Sequence, residues 1–269
     1  VKRPMGRVLE PLGRFGAEYL TRADNLLPLT LKGASDPISI NYFSKIPSAQ
    51  IKSAVLLAAL NAPGTTTFQE SELSRDHTER MLSAFGAQIT TVKSDKGNVV
   101  TVEGYPELKP QEVIVPQDPS SAAFVICAAL IVKGSQVTLQ NICQNPTRNG
   151  LITTLVEMGA EVELQNHRDL NGEPGADIIV SASELNGVDV PIERVVSMID
   201  EFPILAAVAA TADGITVMRG IKELRVKESD RITAMAVGLK ANGVNVEEGE
   251  DFLKIYGQGI NGVQGGATV

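Results

Sequence analysis

The sequence predicts an α/β fold (α+β in some classification schemes) built from a repeated unit of helices and strands. Two recurring patterns carry this prediction. The first is a helix rich in small apolar residues, followed by a Gly and a β-rich strand, and its copies start at Ser48, Ser120 and Ile199. The second is an amphipathic helix with a polar start that ends near a Gly and leads into a strand. Its copies start at Arg3, Arg75, Thr147 and Lys227.

The glycines of the two patterns mark the expected helix ends. In the second pattern they are Gly16, Gly86, Gly159 and Gly243, spaced 70, 73 and 84 residues apart. In the first pattern they are Gly64, Gly134 and Gly214. Apolar residues recur at three- and four-residue spacing before them, as in an amphipathic helix. Each glycine of the second pattern is therefore expected to end its helix in a left-handed turn.

The strands of the repeat are predicted from alternating or continuous apolar residues. Residues 162–165 alternate, residues 178–181 are largely apolar, and residues 112–115 are predicted as a strand before a helix start. The polar stretch 166–175 is predicted as a loop within one repeat. Any α/β protein contains helix–Gly–strand steps, but seven copies in strict alternation favour a true repeat whose units bury their faces against neighbours.

The lobe boundary is expected at Pro116-Gln-Asp-Pro-Ser, because two prolines and an Asp between a strand and a helix are typical of a hinge. This divides the chain into residues 1–116, part of a first lobe, and residues 117–269, part of a second lobe. The chain contains four copies of one pattern and three of the other, so the sequence is expected to be a fragment that lacks parts of the repeat at both ends.

Composition excludes several function classes. The chain has 269 residues, 43% hydrophobic and 21% charged, with a net charge of −8. An acidic chain is a poor general nucleic-acid binder, and no apolar run approaches the roughly 20 residues that span a membrane. Cys127 and Cys143 form no CxxC motif, so free thiols in a cytoplasmic protein without a metal site are expected, with Cys127 in the core.

Charged and polar residues recur at the predicted helix starts. Ser and Asp at these places are ordinary N-caps, and this is the preferred interpretation of Asp118, Ser120 and Ser121. Arg and Lys are different because the helix dipole opposes a cation there. Several such cations indicate a bound anion, for which free N–H groups and arginine forks are suited. They are Lys2, Arg3, Arg75, Arg148, Arg225, Lys227 and Arg231.

Two carboxylates suggest acid–base chemistry. Glu228 lies between Lys227 and Arg231, and Asp200 lies in an otherwise apolar segment, so the two could hold different protonation states. The structural alternatives are a helix ion pair of Glu228 with Arg231 and an N-cap role for Asp200. The pattern alone leaves both interpretations open.

Seven motifs resemble the 5-enolpyruvylshikimate-3-phosphate synthase family (3-phosphoshikimate 1-carboxyvinyltransferases), in its order and along nearly the whole chain. The most specific is the RVKESDR stretch at 225–231, and three others resemble the bacterial group with glyphosate-tolerant members. The others begin at Lys2, Ser48, Ser74, Asp118, Asn145 and Ile199. The resemblance implies the enolpyruvyl transferase fold, two lobes of repeated βαββαβ units in an inside-out α/β barrel. It also implies transfer of the enolpyruvyl group from phosphoenolpyruvate to the 5-hydroxyl of shikimate 3-phosphate, in aromatic amino acid biosynthesis.

The resemblance also implies roles for individual residues. Ser48, Ala49 and Gln50 match the shikimate-phosphate site, Arg75 matches a phosphate contact, and Lys227 matches a substrate contact. Arg3 and Arg231 match arginines that hold phosphoenolpyruvate. Asp200 matches the carboxylate that binds the shikimate hydroxyls and accepts a proton, and Glu228 matches the proton donor to the enol methylene. No cofactor, nucleic acid or membrane is implied, and the complete protein is expected to be a cytoplasmic monomer.

Some family motifs are missing from the sequence, among them PGDKS, GN[AS]GT and DHR[IL]AM, so the chain alone is expected to release little or no phosphate. One alternative is UDP-N-acetylglucosamine enolpyruvyl transferase, which shares the fold but normally has a catalytic Cys in a mobile loop. Cys127 and Cys143 occupy unrelated contexts. A second alternative is a non-catalytic module that kept the anion-binding cleft.

Overall fold

The computed structural model describes residues 4–268, and the chain forms two compact units. Unit 1 is Val1–Ile114 and unit 2 is Val115–Val269. The strand predicted at residues 112–115 is wrong, because the described backbone of residues 106–116 contains neither helix nor strand. Pro106, Pro110 and Pro116 explain the difference, since proline supplies no N–H to a sheet and restricts the residue before it.

Unit 1 contains a hairpin and a four-stranded sheet with helices packed on it. Its elements in chain order are α1 (Gly6–Arg14), β1 (Glu18–Arg22), β2 (Leu26–Lys32), β3 (Asn41–Ser44), α2 (Ala49–Ala59), β4 (Thr65–Glu70), α3 (His77–Ala84), β5 (Ile89–Ser94) and β6 (Gly97–Glu103). β1 and β2 form the hairpin, and the larger sheet has the order β3-β4-β6-β5. Its core is centred on residues of α2, β4 and β6, among them Val55, Leu56, Phe68 and Val100.

Unit 2 contains two sheets that share one hydrophobic core. Its elements are α4 (Pro119–Ile131), β7 (Gln136–Cys143), α5 (Gly150–Glu157), β8 (Glu161–Leu170), β9 (Glu173–Ser181), β10 (Asp189–Val190), α6 (Phe202–Thr211), β11 (Asp213–Arg219), α7 (Arg231–Ala241), β12 (Asn245–Glu248) and β13 (Phe252–Gln258). The sheets have the orders β7-β9-β8 and β10-β11-β13-β12. Helix α6 lies mostly within the core and α4 contributes one face to it, because the residues of both helices are nearly all apolar.

The sheets confirm the predicted repeat. In unit 1, β3 runs parallel to β4 across α2, and β4 and β5 both pair antiparallel with β6. In unit 2, β10 runs parallel to β11 across α6, and β11 and β12 both pair antiparallel with β13. The third sheet follows the same connectivity, with a single parallel bridge from Gln117 to Ile142 in place of its first strand. In chain order each repeated unit therefore reads strand, helix, strand, helix, strand, strand (βαβαββ), so the βαββαβ order that the resemblance implied is wrong, although the repeat itself is confirmed.

The helix-ending glycines have the predicted backbone conformation. Gly16, Gly86, Gly159 and Gly243 have φ values of 100°, 91°, 101° and 82°. These values fall in the left-handed region, which residues with a Cβ adopt at a cost. Cys127 is also in the core as predicted, only 1% exposed, and burial raises the pKa of its thiol to about 12.

The loop predicted over residues 166–175 is wrong. β8 continues to Leu170 and β9 begins at Glu173, so that only Asn171 and Gly172 connect the strands. Their φ values of 58° and 88° suit the tight turn that an Asn-Gly pair favours between antiparallel strands. Polar side chains did not mark a loop here because much of the hairpin is exposed. Among residues 4–268, no helix has the length and apolar character needed to cross a membrane.

Candidate functional site

The first group of predicted site residues lies at the start of α2 in unit 1. Ser48 occupies the N-cap position, Ala49 is the first helical residue and Gln50 is exposed. Within residues 4–268, the Ser48 hydroxyl makes no capping hydrogen bond to this helix. The N–H groups of the first turn have no partner within a helix, and the dipole favours an anion beside them. Arg3, predicted to hold phosphoenolpyruvate, lies outside the described residues.

Arg75 lies in the short connection between β4 and α3. The helix was predicted to begin at Arg75, but it begins at His77, with Asp76 in the N-cap position. Arg75 is therefore on the loop rather than in the first turn, and its side chain is partly buried. The residue directly before it, Ser74, is 2% exposed.

A buried ion cluster joins α2, β4 and α3, and sequence reasoning missed it. The Lys52 ammonium lies 2.9 Å from Glu70 Oε1 and 2.7 Å from Glu79 Oε1. The side chains of Lys52 and Glu70 have no exposed surface, and that of Glu79 is 8% exposed. The contact with Glu79 is a close ion pair rather than a well-directed hydrogen bond. The signal that could have found it is a lysine on the apolar side of α2, next to Ile51 and Val55.

The buried carboxyl of Glu79 predicts a pH-dependent gain in stability on substitution. Burial raises the pKa of Glu79, although the Lys52 ammonium opposes the shift. A raised carboxyl pKa favours folding below the unfolded-state pKa, and that stability is lost as pH rises through the folded-state pKa. Glu79→Gln imitates the protonated form. We therefore expect its urea midpoint to exceed that of the wild type at pH 8 and to match it at pH 4.

The exposed Glu72 provides the control for this comparison. Glu72→Gln removes the same charge from the same unit without changing a buried ion cluster. Its urea midpoint should follow that of the wild type at both pH values. A Glu79→Gln variant that is less stable than the wild type at pH 8 would show that the ionised carboxylate is a net stabiliser, contrary to this expectation.

The second group lies in unit 2 and contains Asp200, Glu228 and Arg231. The Arg231 guanidinium donates from Nη2 to Glu228 Oε2 at 2.9 Å and from Nη1 to Asp200 Oδ1 at 3.3 Å. The side chains of Arg231, Asp200 and Glu228 are 27%, 36% and 58% exposed. The structure therefore brings three of the predicted residues together at a solvent-accessible place, with one cation between two carboxylates.

Of the two structural alternatives considered for these carboxylates, the N-cap role is absent and the ion pair is present. The N-cap role for Asp200 is wrong, because Glu201 occupies the N-cap position of α6 and Asp200 lies in the turn before it. The ion pair of Glu228 with Arg231 is present, but Glu228 precedes the helix. The N-cap of α7 is Asp230, whose carboxylate accepts from the Thr233 N–H at 3.1 Å. That hydrogen bond, opposed by some burial, lowers the pKa of Asp230.

Arg225 and Lys227 make contacts within the same connection. Arg225 donates from Nη1 to Asp230 Oδ2 at 2.6 Å and from Nε to the Glu250 carbonyl at 3.0 Å. It thus fixes the capping carboxylate and the turn between β12 and β13, a structural role that its sequence position did not reveal. Lys227 lies 3.2 Å from Glu223 and its side chain is 17% exposed.

Arg148 and its neighbours form a partly buried polar network in unit 2. As predicted, Asp118 caps α4, accepting from the N–H groups of Ser120 at 3.2 Å and Ser121 at 3.0 Å. The N-cap interpretation of Ser120 and Ser121 is wrong, because both lie inside the first turn of the helix. Burial works to raise the pKa of Asp118, but these bonds and the Ser121 hydroxyl outweigh it and lower the pKa. Arg148 donates to Asp118 at 3.1 Å and to the Ser120 hydroxyl at 2.6 Å, and that hydroxyl donates to Glu201. Arg148 therefore faces carboxylates in this structure, beside the turn that carries Asp200.

Comparison with known proteins identifies the relatives of the chain. The sequence model of the family described as "EPSP synthase (3-phosphoshikimate 1-carboxyvinyltransferase)" matches residues 1–268. A 3-phosphoshikimate 1-carboxyvinyltransferase of Paracoccus denitrificans is 57% identical over 267 residues, which cover 99% of this chain and 60% of that protein. The enzyme of the same name from Cereibacter sphaeroides is also 57% identical over 267 residues. The chain thus spans about 60% of the length of these relatives.

Solved structures give the same result for the fold. An EPSP synthase structure from Acinetobacter baumannii superposes with a TM-score of 0.85 at 44% identity, covering 96% of this chain and 57% of that one. The enolpyruvyl transferase NikO from Streptomyces tendae superposes with a TM-score of 0.68 at 20% identity, a likeness of fold alone. The fold is therefore the α/β fold of the enolpyruvyl transferases, as predicted. These matches do not favour UDP-N-acetylglucosamine enolpyruvyl transferase.

Proposed function

The chain belongs to the EPSP synthase family, and we propose that it carries binding and acid–base groups for transfer of the enolpyruvyl group from phosphoenolpyruvate to the 5-hydroxyl of shikimate 3-phosphate. The observation that supports this most strongly is the grouping of Asp200, Glu228 and Arg231. Arg231 lies 3.3 Å from one carboxylate and 2.9 Å from the other. Two carboxylates around one cation provide a base, an acid and a partner for an anionic substrate.

The groups of unit 1 are proposed to bind shikimate 3-phosphate. Ser48, Ala49 and Gln50 offer backbone N–H groups, and Ser48 and Gln50 add polar side chains, at the start of α2, which suits a phosphate ester. Arg75 adds a guanidinium from the loop before α3. Following the resemblance to the family, Arg3 is proposed as a ligand of phosphoenolpyruvate and Lys227 as a substrate contact.

The proposed chemistry is an addition followed by an elimination. Glu228 donates a proton to the methylene carbon of phosphoenolpyruvate, which makes the neighbouring carbon electrophilic. Asp200 accepts the proton of the 5-hydroxyl as its oxygen bonds to that carbon. The carbon–oxygen bond to phosphate then breaks, and the methyl group returns a proton to regenerate the double bond. Arg231 compensates the charge of the carboxylate or phosphate of phosphoenolpyruvate as phosphate leaves.

A chimeric enzyme tests the proposal. We would replace the 267 matching residues of the Paracoccus denitrificans enzyme by the corresponding part of this chain, so that the relative supplies its own flanking sequence. We expect phosphate release that requires both substrates and a rate within about tenfold of the parent enzyme. The intact parent and a chimera given only one substrate serve as the controls.

The same chimera distinguishes the non-catalytic alternative. Calorimetric binding of shikimate 3-phosphate without phosphate release would favour a binding module and contradict the proposed transferase function. Absence of both binding and turnover in a folded chimera would contradict the substrate assignment. We further propose that the complete protein is a monomer in the cytoplasm, following the resemblance to the family.

A further inference from the structure

The buried Lys52–Glu70 pair holds every polar group of Ser74. The Ser74 N–H donates to Glu70 Oε1 at 3.1 Å, and its hydroxyl donates to Glu70 Oε2 at 2.6 Å. The Lys52 ammonium donates to the Ser74 carbonyl at 3.0 Å. The same ammonium lies 2.9 Å from Glu70. One residue of a loop is thus fixed at its N–H, its carbonyl and its side chain by two buried charges.

Stability alone does not explain why charges occupy this position. Desolvating an ion pair is costly, and apolar residues of similar volume often stabilise a protein as well or better. Lys52 and Glu70 are completely buried, and Glu79 adds a second carboxylate beside the same ammonium. The charged groups instead fix the orientation of the loop at Ser74, because charge-assisted hydrogen bonds are short and directional. A hydrophobic contact would hold the loop without fixing its orientation.

The segments that the pair connects are those that carry the predicted phosphate ligands. Lys52 lies in the first turn of α2, two residues after Gln50 and in the same turn as Ala49. Ser74 directly precedes Arg75. A second contact between the same elements is the hydrogen bond of 2.6 Å between the hydroxyls of Ser53 and Thr78. The geometry of the Arg75 loop relative to the start of α2 therefore depends on Lys52, Glu70 and Ser74.

We propose that Lys52, Glu70 and Ser74 are positioning residues that orient Arg75 toward a phosphate ester bound at the start of α2. This inference rests on the proposed function and concerns its shikimate 3-phosphate subsite. The three residues act through Arg75 rather than on the substrate. Their effect on affinity must therefore vanish when the Arg75 guanidinium is removed.

A double-mutant cycle tests this dependence. Ser74→Ala removes one hydroxyl hydrogen bond to Glu70 and leaves the ion pair intact. We expect calorimetry on the 269-residue chain to give about a tenfold weaker affinity for shikimate 3-phosphate, equivalent to loss of one such bond. In an Arg75→Ala background the same substitution should leave the affinity unchanged. Equal losses in both backgrounds, or no loss in either, would overturn the proposal.

Ser53→Ala is the matched control, because it also removes one hydroxyl contact between α2 and the α3 region. We expect its urea midpoint to fall as in Ser74→Ala while affinity for shikimate 3-phosphate stays within twofold of the wild type. A loss of affinity as large as that of Ser74→Ala would mean that general loosening, rather than orientation of Arg75, explains the result.

Amide exchange separates failure of this inference from failure of the proposed function. Without substrate, exchange at residues 74–76 should be at least about tenfold faster in Ser74→Ala than in the wild type, and unchanged in Ser53→Ala. If amide exchange at residues 74–76 is unchanged in Ser74→Ala, the positioning role is overturned, whether or not the chain binds shikimate 3-phosphate. A wild-type chain that does not bind shikimate 3-phosphate, but shows the expected exchange, contradicts the substrate assignment and retains the positioning role for the loop.

Discussion

Lys52→Met is expected to reduce the free energy of unfolding of unit 1 by about 3–5 kcal/mol, because it leaves two buried carboxylates without their cation. Glu70 and Glu79 lie 2.9 and 2.7 Å from the Lys52 ammonium, and all three side chains are buried. Methionine has a similar length and shape, so the loss of charge dominates. A loss of this size is a large part of the roughly 5–15 kcal/mol by which ordinary domains are stable.

Urea unfolding followed by tyrosine absorbance measures this effect, since three of the four tyrosines lie in unit 1. They are Tyr19, Tyr42 and Tyr105. Lys32→Met is the control, because Lys32 pairs with Glu18 on the surface at 3.3 Å with both side chains more than 70% exposed. Surface ion pairs contribute little, so this variant should unfold at the wild-type midpoint. Equal midpoints for Lys52→Met and Lys32→Met would contradict the importance of the buried ammonium.

A charge-neutral triple variant separates loss of charge from loss of packing. Lys52→Met combined with Glu70→Gln and Glu79→Gln removes the uncompensated carboxylates together with their cation. Replacing a complete buried ion cluster is far less costly than removing one partner. We therefore expect the triple variant to be more stable than Lys52→Met alone. A triple variant that is less stable would mean that the geometry of the cluster, rather than its charge balance, determines stability.

The repeat could be predicted because its signals are local. A glycine that follows an amphipathic helical pattern, such as Gly16 or Gly159, adopts a φ near 100° and ends its helix there, and the spacing of such glycines follows the length of the unit. The Glu228–Arg231 ion pair was also visible, since side chains three residues apart are neighbours in a helical turn and this pair lies at the start of α7. These features need only the order of the residues along the chain.

The features that could not be predicted depend on elements distant in sequence. Lys52 meets Glu70 and Glu79 only because α2 packs beside the end of β4 and the start of α3, and helical periodicity gives no partner for a buried lysine. Arg225 was among the cations predicted to bind an anion, but its Nε donates to the carbonyl of Glu250, in the turn after β12. The positive charge of arginine indicated anion binding, but tertiary packing determines which groups its side chain contacts.

Asp200→Asn in the chimeric enzyme is expected to lower kcat by about 10²–10⁴-fold, the range associated with loss of one general acid–base group. Asparagine has nearly the same shape, and its carbonyl oxygen can still accept from Arg231, which lies 3.3 Å from Asp200. It cannot accept the proton of the 5-hydroxyl. Phosphate release under saturating substrates gives kcat, and Asp189→Asn is the control because Asp189 forms an exposed ion pair with Arg219.

The comparison of kcat with affinity distinguishes a base from a binding group. An amide can still accept and donate hydrogen bonds to the shikimate hydroxyls, so the dissociation constant of shikimate 3-phosphate should change by less than about tenfold. If Asp200 acted only in binding, affinity and kcat/KM would fall together while kcat remained close to that of the parent. Loss of the acid limb from the pH profile of kcat should accompany the loss of rate, because the essential base is then absent. A variant that keeps both its rate and its acid limb would exclude Asp200 as the base and move that role to another residue near Arg231, of which Glu228 is the first candidate.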